Sequence, residues 1–175
     1  MNGIVELIVI GIAASFIASI VFAYYLRNMK PKIEISENIA FGTMTNNTPI
    51  YRVKVVNKSK RDAIELRANL LWVRPDSIRG GYMNEFHDVI LERNEIFILK
   101  GITNHAMNFT EYDFSFKTKE NLHDKLSSYR NSYIIFQINV KDSHSGFSKV
   151  FTKRYDDSKT IKNGVFEIGE SFKIN

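Results

Sequence analysis

One segment near the amino terminus restricts what this chain can fold into. Residues Leu7 to Leu26 read LIVIGIAASFIASIVFAYYL, a run without a single charged side chain. A helix rises 1.5 Å per residue, so about twenty residues cover roughly 30 Å, the hydrocarbon thickness of a bilayer. A cleaved signal peptide is the main alternative, but it would need a basic amino-terminal region, and here MNGIVE precedes the run. We therefore predict an uncleaved transmembrane anchor at residues 1–29.

The charges around this segment predict its orientation. All 24 Lys and Arg residues follow position 26, beginning with Arg27, Lys30 and Lys32, whereas Glu6 is the one acid that precedes it. Basic residues that flank a membrane helix stay on the cytoplasmic side. We expect a single-pass protein of a bacterial inner membrane, with residues 30–175 in the cytoplasm.

Small side chains recur every fourth residue along the apolar segment, at Gly11, Ser15, Ser19 and Ala23. Such a stripe lets two helix backbones approach closely in lipid, which favours a homo-oligomer. The alternative is chance spacing in a helix rich in Ala and Ser.

Beyond residue 32 the hydrophobic period changes from helical to two. Tyr51, Val53 and Val55 alternate with Arg52 and Lys54, which is typical of a half-buried strand. The same alternation predicts further strands with one face formed by Ile64, Leu66, Ala68, Leu70 and Trp72, and another formed by Ile134, Phe136, Ile138 and Val140.

One short helix interrupts these strands. Thr118 is a candidate amino-terminal cap, and Leu122, Leu126 and Tyr129 follow at helical spacing. The paired glycines of SIRGGYMNEFHD predict the least ordered connection. Many short strands with turns between them predict an all-β cytoplasmic domain, an antiparallel sandwich at residues 30–175 with one short helix.

The residues that commonly carry chemistry do not form a recognisable set. There is no cysteine, and the four histidines are scattered without the spacing of a metal site. Asp142, Ser143 and His144 are adjacent, and adjacent residues point in different directions rather than forming a hydrolytic triad. We expect a non-enzymatic protein without metal or cofactor.

Basic residues form two clusters, one at Lys58, Lys60 and Arg61 and one at Lys149, Lys153 and Arg154. The chain after the apolar segment has 24 basic and 18 acidic side chains, a net charge of +6. If neighbouring strands bring the clusters together, they would attract an anionic small ligand. The alternative is two separate solvated surfaces. Nucleic acid is not an expected partner.

Several short motifs resemble the cytoplasmic domain of inward-rectifier potassium channels. The order is the apolar helix, Lys30-Pro31-Lys32, Arg52-Val53, Lys58-Ser59, and Arg67-Ala68 before Leu70-Leu71. Ser145-Gly146, Tyr155 and a final Gly169-x-x-Phe172 continue the likeness. The resemblance implies an immunoglobulin-like sandwich.

The resemblance also implies a role for the basic segment after the helix, which in that family binds phosphates of an anionic lipid. We predict that Arg27, Lys30 and Lys32 contact lipid headgroups, although Ile33 stands where the family continues with basic residues. Ordinary flanking charge is the alternative. The chain has no selectivity-filter motif, pore loop or second apolar segment, so we do not expect it to form a potassium channel by itself.

Three functions are compatible with these features. The first is a single-pass membrane protein whose cytoplasmic immunoglobulin-like domain senses an anionic ligand or binds a protein partner. The second is a ligand-gated membrane effector of a defence type, which recognises a signalling nucleotide. The third is a membrane-anchored adaptor.

Overall fold

The computed structural model describes residues 2–28, 31–43, 48–102 and 111–175. The first element, α1, is a helix over Asn2–Asn28. Within it, Gly3–Leu26 has a mean hydropathy of 2.6 and is long and apolar enough to cross a membrane. The described side chains of 3–25 are all exposed, so the rest of the described chain does not cover this apolar surface.

The first β-sheet contains five strands, four of them in the order β1-β3-β2-β10. Strands β1 and β2 pair with the two ends of β3, and β7 pairs with residues 51–56 of β3. Strand β10 runs parallel to β2, whereas the other pairs in this sheet are antiparallel. The strands are β1 (Ile33–Ile35), β2 (Ile39–Thr43), β3 (Pro49–Asn57), β7 (Asp113–Thr118) and β10 (Ile161–Asn163).

The second sheet also has five strands, in the order β5-β4-β8-β9, and β6 pairs with the first part of β4. Its pairs are all antiparallel. The strands are β4 (Ala63–Ile78), β5 (Gly81–Val89), β6 (Glu95–Leu99), β8 (Tyr133–Asp142) and β9 (Ser148–Tyr155). The prediction of a mostly β domain with two sheets is thus confirmed.

The hydrophobic core combines residues of both sheets. Tyr51, Val53 and Val55 of β3 are buried, as the alternation predicts, and so are the alternate residues of β8: Ile134, Phe136, Ile138 and Val140. Burying such side chains is worth about 1.5–3 kcal/mol each, which makes this layer the main source of stability.

The face of β4 differs from the prediction at both of its ends. Leu66, Ala68 and Leu70 are buried, but Ile64 and Trp72 are only half-buried, and their neighbours Ala63 and Val73 are buried instead. Glu65 has a positive φ of 51°, and the pairing with β8 shifts between Ile64 and Arg67. This bulge inserts one residue and turns Ile64 to the other side of the sheet.

The short helix α2 covers Leu122–Ser128, and its cap is not the predicted one. Thr118 is the last residue of β7, whereas the Asn121 side chain accepts a hydrogen bond from the Asp124 backbone N–H at 3.2 Å. Leu122 is fully buried and fixes the helix against the core.

The segment predicted to be least ordered is instead a regular antiparallel ribbon. Residues 70–78 of β4 pair with residues 81–89 of β5. Gly80 lies in the turn between them with a φ of 105°, a backbone conformation that would be strained for a residue with a side chain. Most of β5 is exposed on both faces, so the ribbon extends beyond the core.

Candidate functional site

The predicted headgroup residues lie where the chain enters the β domain. Pro31 is buried, Lys32 is exposed, and the Lys32 carbonyl accepts a hydrogen bond from the Lys58 backbone N–H at 2.7 Å. The Arg27 side chain and Lys30 lie outside the described residues. Headgroup binding by Arg27, Lys30 and Lys32 stays a prediction.

The small residues of α1 form an uncovered face. Gly11, Ser15, Ser19 and Ala23 are all exposed, and the Ser19 hydroxyl donates to the Ser15 carbonyl oxygen at 2.8 Å. This internal bond satisfies the Ser19 hydroxyl without a partner helix. The face is available for helix packing, and self-association stays a prediction.

The first basic cluster lies in the turn between β3 and β4. Lys58 pairs with Glu170 at 3.1 Å, and Arg61 Nε lies 2.9 Å from the buried Asp142 carboxylate. Lys60 is exposed. Two of the three cations are therefore already neutralised by carboxylates.

The Asp142 carboxylate organises the turn before β9. Burial raises its pKa, but hydrogen bonds from Ser145, from Arg61 and from the His144 backbone outweigh this effect, so the pKa is below its usual value. Ser143 Oγ lies 3.1 Å from His144 Nδ1, whereas the Asp142 carboxylate bonds to backbone N–H groups and to Arg61. The three residues do not form a catalytic chain.

The second basic cluster lies along β9. Lys149 stacks over the Phe151 ring, Lys153 pairs with Glu37, and Arg154 pairs with Asp156 at 2.5 Å. The last two cations stand four and five residues beyond Lys149, about 13–17 Å farther from the β3–β4 turn. The structure does not bring these two cations to the first cluster, and the ligand patch stays a prediction.

A buried lysine that the sequence analysis missed lies on the outer face of the first sheet. Lys54 is only 1% exposed, and its Nζ lies 2.9 Å from Asp113 Oδ2. The ammonium group also donates to the Glu167 carbonyl at 2.5 Å and to the Ser171 carbonyl at 2.8 Å. Its three hydrogens are thereby satisfied, as a buried charge requires.

These carbonyls belong to residues 165–175, which we name the C-terminal strap. Val165 and Asn175 exchange two backbone hydrogen bonds of 2.9 and 3.0 Å, and Glu167 N–H donates to the Lys173 carbonyl. Side-chain hydrogen bonds from Lys173, Ser171 and Asn175 lower the pKa of Glu167 to about 2. The strap is a folded loop, and Lys54 ties it to β3.

A cleft of about 560 Å³, the β7 cleft, lies between β7, the chain after β5 and the strap. Its two carboxylates are already paired: Asp113 with Lys54, and Glu92 with Lys119 at 2.9 Å. The cleft is lined by Glu92, Arg93, Asp113, Phe114, Ser115, Lys117 and Ile168.

The β7 cleft is also lined by two cations, whose charge pairing differs from that of the carboxylates. Arg93 and Lys117 are exposed and have no carboxylate partner in the part of the chain that the structure describes. Phe114 and Ile168 provide apolar walls beside them. An uncompensated pair of cations next to apolar surface favours an anionic molecule with an apolar part.

A different cluster lies where the β4–β5 ribbon meets α2. Trp72 packs against the rings of His87 and Tyr129 at centroid distances of 5.1 and 5.6 Å, and the Arg74 guanidinium lies 4.6 Å from the Tyr129 ring. Arg74 also pairs with Glu85. The members of this cluster contact one another, so the cluster stabilises the position of the ribbon against Tyr129.

Metal binding has no support from the described ranges 2–28, 31–43, 48–102 and 111–175. Within them, no three His, Asp or Glu side chains are grouped closely enough to hold an ion. The Asp157 carboxylate caps a short turn, where it accepts a hydrogen bond from the Lys159 N–H at 3.1 Å.

Comparisons with known proteins give little further information. No protein-family model matches the chain, and no curated protein matches its sequence. Among solved structures, it is similar to an X-ray structure of a target of the Northeast Structural Genomics Consortium, with 6% sequence identity and a TM-score of 0.33. That match covers 74% of this chain and 88% of the other, and a TM-score of this size does not indicate a shared fold.

Proposed function

We propose that this protein is a non-enzymatic, single-pass protein of a bacterial inner membrane whose cytoplasmic β domain senses a ligand or binds a partner. The observation that carries the proposal is α1: an exposed apolar helix of membrane-spanning length leads directly into a two-sheet domain. Leaving so much apolar surface in water is unfavourable, and a bilayer removes that cost.

The architecture of the β domain supports the immunoglobulin-like part of the proposal. Two sheets contribute to one core, and among the described strands every pair except β2 with β10 is antiparallel. An inward-rectifier-like sandwich has this general organisation, and in the proposal it supplies the sensory unit.

A topology experiment tests the proposal, and the absence of cysteine makes it simple. Asn2→Cys and Ser148→Cys each create a single thiol, one at the first residue of α1 and one at an exposed position of β9. In intact spheroplasts, an impermeant maleimide should label position 2 and leave position 148 unlabelled until the cells are lysed. Labelling of both positions before lysis, or release of the chain by alkaline carbonate, would contradict membrane anchoring with a cytoplasmic domain.

Self-association through α1 is part of the same proposal. Gly11→Ile fills the small-residue face, whereas Ala13→Ile places the same isoleucine side chain about 200° around the helix. We expect cross-linked oligomers to decrease only with the first variant. Equal cross-linking of both variants would show that this face does not bring copies together.

The β7 cleft favours a second candidate, a membrane effector that responds to an anionic ligand. Its distinguishing result is growth inhibition on overexpression that requires both α1 and the cleft cations. An adaptor would instead retain a stable protein partner when Arg93 and Lys117 are replaced.

A further inference from the structure

We propose that the β7 cleft binds a phosphate ester that carries an apolar or aromatic group. The proposal rests on the sensory function above and specifies the chemical class of its ligand. It places the ligand site away from the two basic clusters that the sequence indicates, because the charges there are largely paired within the chain.

The charge of the β7 cleft is the first argument. Lys54 neutralises Asp113 from beneath the strap, and Lys119 neutralises Glu92 from outside the cleft lining. The positive charges of Arg93 and Lys117 therefore remain for a ligand. Arginine suits phosphate because its planar fork donates two parallel hydrogen bonds, and lysine adds a point charge.

The shape of the cleft is the second argument. A volume of about 560 Å³ falls within the usual range for small-molecule sites. Phe114 and Ile168 line the same cleft as the two cations, and Ile168 is 70% exposed. Covering such a side chain is favourable, so the ligand is expected to place an apolar group there.

The backbone at the cleft restricts the kind of ligand. The edge of β7 that faces away from β3 is bonded near both ends: Lys100 N–H donates to the Glu111 carbonyl and Glu92 N–H donates to the Lys117 carbonyl, each at 2.8 Å. A long peptide strand adding to this edge would have to displace both bonds. A small molecule between them displaces neither, which favours a small ligand over a peptide.

Calorimetry on the full chain in non-ionic detergent tests the proposal. The soluble probe is 1-naphthyl phosphate, compared with inorganic phosphate and 1-naphthol, and dihexanoyl phosphatidic acid represents a lipid source of the same chemistry. We expect one phosphate ester per chain, bound at least tenfold more tightly than inorganic phosphate or naphthol. The tighter of the two esters identifies a free or a lipid source.

Four variants connect binding to the cleft. Arg93→Gln and Lys117→Gln should each weaken binding about tenfold, the usual effect of losing one charge-assisted hydrogen bond. Glu92→Gln removes a negative charge from the cleft lining and frees Lys119 from its ion pair, so it should strengthen binding severalfold. Lys162→Gln removes one exposed charge from β10 and should leave the dissociation constant unchanged.

Two results would overturn the proposal: neither ester binds, or Arg93→Gln and Lys117→Gln weaken binding no more than Lys162→Gln does. Either result is separate from the topology experiment. A chain that is anchored with a cytoplasmic domain but binds no ester retains the proposed membrane function and loses this ligand class.

Discussion

Replacing Lys54 by methionine should destabilise the β domain by about 3 kcal/mol. The lysine is 1% exposed, and its substitution leaves the Asp113 carboxylate and the Glu167 and Ser171 carbonyls without their shared donor. Removing one partner of a buried pair typically costs about 3–5 kcal/mol. We take the lower end because Asp113 is 13% exposed and keeps a hydrogen bond from the Gly169 N–H.

Urea unfolding of the full chain in detergent, followed by the fluorescence of Trp72, measures this effect. For a typical slope of about 2 kcal/mol per molar, the midpoint should fall by about 1.5 M. Because Lys54 ties the strap to β3, hydrogen exchange should also accelerate at the amides of Val165, Glu167 and Asn175.

Lys60→Met is the matched control, because Lys60 is an exposed lysine, and it should change stability by less than about 0.5 kcal/mol. A Lys54→Met protein as stable as this control would refute the reasoning. Asp113→Asn completes a double-mutant cycle, and a coupling energy near zero would show that the pair itself contributes nothing.

Three further substitutions test other contacts. Gly101→Ala should destabilise the domain by about 1–3 kcal/mol, since a methyl group would lie 2.4 Å from the Lys60 carbonyl carbon. Tyr155→Phe should cost about 1–2 kcal/mol by leaving the buried Ser36 carbonyl without its 2.8 Å hydrogen bond. Asp142→Asn should destabilise at neutral pH, and this difference should begin to shrink below about pH 4 and vanish below the folded-state pKa.

The pH dependence follows from the lowered pKa of Asp142 in the folded chain. Stabilisation by the carboxylate is complete above the unfolded-state pKa, near 3.9, and is lost as the pH falls through the folded-state value. Denaturation curves at several pH values measure this pH dependence, with exposed Asp88→Asn as control.

The other two substitutions have controls of their own. A loss of stability in Tyr155→Phe no larger than that in Tyr133→Phe would contradict the Tyr155 hydrogen bond. A loss in Gly101→Ala no larger than that in Gly42→Ala would contradict the close contact at Gly101. At Gly42 the nearest atom is a movable guanidinium nitrogen.

The parts of the fold that depend on local pattern were predictable from the sequence. Alternation identified the inner faces of β3 and β8, because the side-chain period of a strand is set by its own residues. The bulge at Glu65 was not predictable in this way, since no residue type in the strand marks the position at which one extra residue shifts the register.

The candidate site was largely hidden from the sequence. Lys54 alternates with core residues and therefore reads as solvent-facing, but the strap that buries it comes from residues more than 100 positions later. Likewise, Arg93 and Lys117 belong to neither basic cluster of the sequence, and the pairing of the nearby acids with other cations becomes visible only in three dimensions.

Strand β4 gives the domain a mechanical property. Its 16 residues extend about 50 Å from the end where the chain enters the domain, and β6, β8 and β5 attach to it in turn. Tension applied between that end and the tip of the ribbon would be carried by this strand and would load its interstrand hydrogen bonds in shear. A strand loaded in this way extends little before its hydrogen bonds break, so a pull at the ribbon reaches the end where the chain enters the domain with little loss of displacement.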